Sequence, residues 1–501
     1  MSSFDLLKLP EPRLLFGGQQ ALEDPRDGLT LFGPLDAARS FGIRPAVVGT
    51  ADGIRRFRQW VGRVQIPIDD KSRSRPFFPG FEAVFGVPFA VRPAHAIELD
   101  HSEILNACQL ADRHQRVFQV VNLYVDQIKR TIASEEGAAD VWFVVVPDEV
   151  YQYCRPQSVV EPAVRRKAAT AMSPGLARRI LSSPSLFADM NQDAQPYGFE
   201  PNFHNQLKAV LLSAHVPTQI VRESTLAPDE FVDAHGRATR GLGKASEIAW
   251  NICTTAYYKT GARPWKTADI REGVCYLGLV FKRDHRSTES RWSSCGAQMF
   301  LDSGDGFVFK GTGGPWFSSE YGSFHLDRAA AKDLMQKAVN AYTAHVGRPP
   351  RELFVHGKVR FDSDEWSGFL DAVTPLTTLV GVRIRRADDL RIYTRETRAV
   401  LRGLAYIHDS RTAYLWAGGF IPRLGTYPGR EVPKALLVDV CRGQAQIETV
   451  LADVLALTKL NYNACIYGDG EPVTLSFADA VGEILTSGPV AEAPLPFKLY
   501  I

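Results

Sequence analysis

Residues 141–146, VWFVVV, are six apolar residues in succession between Asp140 and Pro147. A strand covered on one face alternates apolar and polar residues. An unbroken run bounded by turn residues describes an inner strand of a parallel sheet, buried on both faces. Such a strand needs neighbours and covering helices. RPAVVGT at 44–50 is a second strand of buried type, followed by helical material through Gly62, and TQIVRE at 218–223 is a third. Between the first two, an amphipathic pattern runs from His101 to Ser134 and predicts a long helix. The strand–helix alternation predicts a layered, Rossmann-like α/β unit over residues 41–268. Neither half contains G-x-G-x-x-G, so a dinucleotide site is not expected.

From Gly273 the order changes. GVCYLGLVFKR, SSCGAQMFLD and GFVFKG predict three strands in succession, followed by a helix from about Leu326 to Val346. RELFVHGKVRF and TTLVGVRIRR then flank the helical DSDEWSGFLDAV. Residues 269–501 therefore form a second α/β unit. Residues 1–40, punctuated by Gly17, Gly18, Gly28, Gly33 and Pro34, predict short extended segments laid against the core. Between Pro156 and Pro201 the periodicity weakens around RRK at 165–167 and RR at 178–179. That interval reads as an exposed insertion with solvated charge, or as a basic flap or partner surface.

A formal charge of +2 over 501 residues places any nucleic-acid binding in a local groove rather than on an overall basic surface. The seven cysteines never adopt C-x-x-C spacing, which predicts reduced thiols rather than disulfides or a zinc site. No apolar run reaches membrane-spanning length and MSSFDLLKLPEPR lacks the apolar core of a signal peptide, so a cytoplasmic protein with no membrane contact is expected.

The chemistry concentrates between Pro201 and Trp265. His204 and Lys208 lie four apart in a segment of helical period, so they leave the same face. Thr218 and Gln219 open the strand TQIVRE, and Lys259 closes a helix beginning near Ser246. Two ammonium groups, an amide and an imidazole gathered by helix, strand and helix suit an oxyanion with several acceptor oxygens, such as a terminal phosphate. Taken singly, each residue is far more often an ordinary surface, core-edge or turn residue than a ligand.

The order H-x-x-x-K, then T-Q, then Y-Y-K-T-G before P-W resembles the guide 5′-phosphate pocket in the MID domain of Argonaute proteins. The resemblance implies that His204 stands where the family often has Tyr, that Lys208 and Lys259 are the pocket lysines and that Gln219 is the pocket glutamine. Thr218 joins that set, and Thr255 stands where many eukaryotic relatives carry another lysine. The opening P-E-P-x-L-x-F-G and D-P-R-x-G-L-x-x-F-G-P resembles short prokaryotic Argonautes. The second unit, with IETVLADVLALTKLNYNA and PVTLSFADAVGEIL near its end, resembles the RNase H-like PIWI domain.

Active PIWI domains hold two Mg2+ ions between carboxylates. The resemblance places the first at Val280, after Gly278 and Leu279, and another at Lys358, in the stretch His356, Gly357, Lys358, Val359. A lysine ~4 Å from a divalent ion in a partly buried site is repelled by several kcal/mol. Asp479 matches the last catalytic position and remains as a possible structural remnant. Asp284 shares strand parity with Val280 but lies about 13 Å further along at ~3.3 Å per residue, and Asp302 and Asp305 flank a glycine turn.

A catalytically inactive PIWI domain is therefore expected, the alternative being a guide-directed nuclease with non-standard carboxylates. A purely structural subunit with an empty pocket is the third reading. By resemblance the chain binds a 5′-phosphorylated guide RNA and a complementary single-stranded DNA target, and activates an APAZ-containing effector of TIR, sirtuin-like or nuclease type in defence against plasmids and phage. The family also implies a non-catalytic Mg2+ at the guide phosphate, shared by Gln219 and the terminal carboxylate of Ile501.

Overall fold

The computed structural model describes residues 5–70, 77–134, 138–167, 172–283, 293–301, 303–311, 316–318, 323–427, 429, 431–488 and 494–501. Its first sheet has four parallel strands in the order His95–Glu98, Pro45–Gly49, Val141–Val146 and Thr218–Arg222. Every residue of Pro45–Gly49 and Val141–Val146 is buried, as the unbroken apolar runs require. The two-residue period divides the central strand between two cores. Phe143 and Val145 pack with Phe57 of the Ala51–Arg63 helix, while Trp142 and Val144 pack with Tyr124, Ile128, Leu207 and Leu211 on the opposite face.

The pattern from His101 to Ser134 is two helices rather than one, His101–Cys108 and Arg113–Ala133. Asp112 separates them because its carboxylate accepts from the His114 and Gln115 amides and starts a new helix. The edge strand His95–Glu98 was not anticipated: four residues of half-buried pattern carry little apolar signal. The interval 156–201 folds around helices Pro174–Ser182 and Ala188–Ala194, which close a small core of Ala177, Ile180, Ala194 and Tyr197. Arg178 and Arg179 remain exposed on it.

The second sheet has ten strands in the order Asp5–Lys8, Leu404–Ile407, Thr412–Trp416, Leu436–Arg442, Thr378–Arg386, Glu352–Gly357, Val274–Arg283, Ser293–Leu301, Gly306–Lys310 and Leu495–Pro496. Glu352–Gly357 is parallel to both its neighbours and the remaining pairs are antiparallel. Helices Arg328–Val346 and Ser363–Ala372 cover one face over Leu277 and Val355. Helices Ile447–Leu457 and Ala478–Thr486 cover the other.

The N-terminal residues are stitched to two distant segments, one in this sheet and one in a small separate sheet. Asp5–Lys8 pairs with Leu404–Ile407, and Leu14–Leu15 pairs with Lys266–Thr267. Between them Glu11 meets Arg402 at 3.0 Å and Lys459 at 2.7 Å. Among the described residues no helix is long and apolar enough to cross a membrane.

Candidate functional site

Asn202 caps the Phe203–Leu212 helix by accepting from the Asn205 amide. One turn in, Lys208 points into the protein and is 3% exposed. Lys259, the last residue of the Ala245–Lys259 helix, is 1% exposed and approaches from the other side. The two ammonium groups converge on the Thr218 carbonyl oxygen, at 3.4 Å from Lys208 and 2.7 Å from Lys259. Lys259 also donates to Gln219 Oε1 at 2.6 Å, and Lys208 to the main-chain oxygen of Ile501 at 2.6 Å.

Neither lysine forms an ion pair with an acidic side chain among the described residues. Burial alone lowers the Lys208 pKa to about 7. Burial, then the Lys208 charge, holds Lys259 well below its ordinary value. Two buried ammonium groups set against a carbonyl, an amide oxygen and the terminal oxygen of Ile501, with no acidic side chain, form a site of positive potential suited to an anion.

Of the predicted residues, Lys208, Gln219, Lys259 and Ile501 meet here, and Thr218 contributes its carbonyl. Thr255 does not contribute a donor, because its buried hydroxyl donates to Asn251 O within its own helix. His204 lies exposed at the edge of the site. Enclosure by protein atoms, followed by the Lys208 charge, lowers its pKa, so the imidazole is neutral at pH 7. Its Nδ1 is 3.1 Å from Asn205 Oδ1.

Mg2+ needs several oxygens at about 2.0–2.1 Å in octahedral array. Here the two candidate ligand oxygens, of Gln219 and Ile501, each already accept from an ammonium group. No group of three or more His, Cys, Asp or Glu placed to hold a metal occurs among the described residues.

A second polar cluster lies on the wide sheet. His356 is paired with Gly278, and two residues beyond that pair lie Lys358 and Val280. Lys358 donates to Asp479 Oδ2 at 3.0 Å, and Lys282 approaches Asp479 Oδ1 and Glu483 Oε1, each at 3.4 Å. Partial burial opposes the Asp479 charge, but Lys358 and then Lys282 outweigh it and hold the carboxyl below its ordinary pKa. Beneath, His356 is buried with Nδ1 2.9 Å from Thr474 Oγ1, and burial pushes its pKa down to about 3. Gly278 is required there, since a Cβ would lie 1.9 Å from Thr474 O.

Lys282 and Glu483 escaped sequence reasoning. Helix spacing puts Glu483 on the face of Asp479, but nothing local says that this face meets a strand lysine. Asp305 sits after the Gly304 turn, where its carboxylate meets Arg263 at 3.4 Å and His345 at 3.2 Å, so it is engaged structurally. Asp284 and Asp302 lie outside the described residues.

No family model and no curated protein matches the sequence. Among solved structures, the fold is similar to Clostridium butyricum Argonaute bound to a guide DNA and a 19-mer target DNA, with TM-score 0.66 and 12% identity, covering 100% of this chain and 55% of that one. It is also similar to Aa-Ago with externally bound siRNA, at TM-score 0.53 and 12% identity over 99% of this chain and 56% of that one. For A. aeolicus Argonaute the values are 0.54, 12%, 98% and 54%. The chain thus spans about half the length of each Argonaute and shares its mixed α/β fold.

Proposed function

From the Argonaute-like fold we propose that the chain is a guide-dependent nucleic-acid recognition subunit. Its MID-like half, residues 41–268, binds the 5′-phosphate of a guide RNA, and the PIWI-like half, residues 269–501, accommodates pairing with a complementary single-stranded DNA target. The observation that carries this reading is the convergence of Lys208 and Lys259, buried and without acidic side-chain partners, on one carbonyl oxygen. A phosphate monoester supplies the acidic partner that no side chain provides and accepts charge-assisted hydrogen bonds from both. Base pairing then reads sequence, while the protein holds backbone and duplex shape.

The test is the affinity of matched 5′-phosphorylated and 5′-hydroxyl RNA oligonucleotides for the purified chain. A clear preference for the phosphate is expected, and equal affinities would remove the reading. Because the ammonium groups already engage the Gln219 and Ile501 oxygens, chelating divalent ions is expected to change the preference by less than about twofold. A large loss in EDTA, restored by Mg2+, would overturn that expectation.

The same reading takes the PIWI-like half as catalytically inactive. Both Asp479 oxygens face ammonium groups, at 3.0 and 3.4 Å, where a catalytic ion would need them free. No cleavage of a matched labelled target is expected with Mg2+ or Mn2+. Turnover in either metal would favour a nuclease using other carboxylates. The output is then assigned to a separate APAZ-containing effector of TIR, sirtuin-like or nuclease type, activated on target recognition in plasmid and phage defence. Co-purification of such a protein, with activity that appears only when guide and target are both present, is the corresponding measurement.

A further inference from the structure

His204 differs from the two lysines in being exposed, and its neighbours determine which ring nitrogen faces a ligand. Asn205 is buried, and its Nδ2 lies 3.4 Å from Glu200 Oε2 and 3.3 Å from Glu483 Oε2. Turning the amide over would aim Oδ1 at both carboxylates, so the carboxylates fix its orientation. Glu200 is itself held by the Ser487 hydroxyl at 2.8 Å, and Glu483 lies near Lys282. With Oδ1 fixed as an acceptor toward His204, Nδ1 must carry the ring proton and Nε2 keeps its lone pair. The remaining charges around the ring are Lys208 on its own helix and Lys259 on the facing helix, and both oppose a second proton. The Ile501 terminal carboxylate accepts from Lys208 at 2.6 Å.

We infer that Asn205, fixed by Glu200 and by Glu483 from the PIWI-like half, holds His204 as an Nε2 hydrogen-bond acceptor for an N–H or O–H donor on the guide's terminal nucleotide. A phosphate dianion offers only acceptors, so His204 is a nucleoside contact, and the lysines alone take the phosphate. This deepens the proposed 5′-phosphate reading and rests on it for the ligand, but not for the tautomer. Asn205, Glu200 and Glu483 are positioning residues, since they act through His204. The donor is either the ribose 2′-hydroxyl or an exocyclic amine of the base.

The test uses the full chain labelled with 15N-histidine, with His204 assigned by comparison with His204→Phe. At pH 7.5 its Nδ1 is expected to show the protonated signature and its Nε2 the unprotonated one, and Asn205→Ala is expected to mix the tautomers. Affinities are then compared for 5′-phosphorylated oligonucleotides with a ribo or 2′-deoxy first nucleotide, and with adenine or unsubstituted purine as first base. Loss of the correct donor is expected to weaken binding about tenfold in the parent, as for an orphaned acceptor, and less than about twofold in His204→Phe. Lowering the pH until the ring protonates is expected to erase the discrimination. An Nε2–H tautomer, or donor deletions that all stay within twofold, would overturn the inference. Equal affinity for phosphate and hydroxyl ends would show instead that the phosphate reading has failed, and the tautomer signature would still decide the positioning claim.

Discussion

Replacing Lys208 and Lys259 together by alanine is expected to abolish the preference for 5′-phosphorylated ends. Each lysine offers a charge-assisted hydrogen bond worth about 1.5–3 kcal/mol, so the pair contributes about 3–6 kcal/mol, or two to four orders of magnitude in affinity. Titration of matched oligonucleotides measures it. A double variant that keeps more than about a tenth of the preference would place the phosphate elsewhere. The same lysines should destabilise the ligand-free chain. Burial lowers the Lys208 pKa to about 7, so below pH 7 the fold carries the full cost of the charge. From pH 7 towards the unfolded value near 10.5, the unfolded chain binds a proton that the fold does not, and stability rises with pH.

A methionine at 208 is therefore expected to raise the melting temperature of the free chain near pH 7 while weakening phosphate binding. Phosphate affinity should have the opposite pH dependence. The monoester becomes a dianion above about pH 6, and Lys208 loses its proton above about pH 7 in the free site. Binding should be tightest between these values and decline above them, with proton uptake visible as a dependence of the binding heat on the buffer.

Glu11→Ala is expected to cost about 3–5 kcal/mol of stability, because it leaves two buried cations without their carboxylate. The Lys459 side chain is 0% exposed and that of Arg402 3% exposed. Urea unfolding monitored by tryptophan fluorescence measures the loss. A change below about 1 kcal/mol would mean that water replaces the carboxylate. Burial works against the Glu11 charge, yet Arg402 and then Lys459 hold its pKa below the ordinary value. Its contribution is thus complete above the unfolded pKa near 4.5 and is lost as pH falls through the lower folded value. The Glu11→Ala penalty should shrink correspondingly in acid.

The two halves of the chain were legible to different degrees, and for physical reasons. VWFVVV could only be an inner strand, because no half-exposed element tolerates six apolar residues. Lys208 and Lys259 were legible as a pair only through their order along the chain. Their burial depends on a strand and on the far end of the chain, Thr218, Gln219 and Ile501, meeting them in space, which no local pattern states. The strands Leu404–Ile407, Thr412–Trp416 and Leu436–Arg442 went unassigned, being short and separated by polar turns. The Asn205–Glu483 contact joins elements from opposite halves and has no sequence signature. Thr255 shows the converse case: at a suggestive position along the chain, its hydroxyl donates within its own helix.

The edge strand Asp5–Lys8 finds its hydrogen-bonded neighbour only at Leu404–Ile407. On a ribosome adding about 5–20 residues per second, it emerges roughly 20–80 s before that neighbour exists. Until then its backbone donors and acceptors are open to water, chaperones or other nascent chains. The closing of this long loop comes late in folding, and loop closure of that span is intrinsically slow. Synthesis rate and chaperone supply, rather than equilibrium stability alone, should therefore govern how much of the chain reaches its sewn form in a heterologous host.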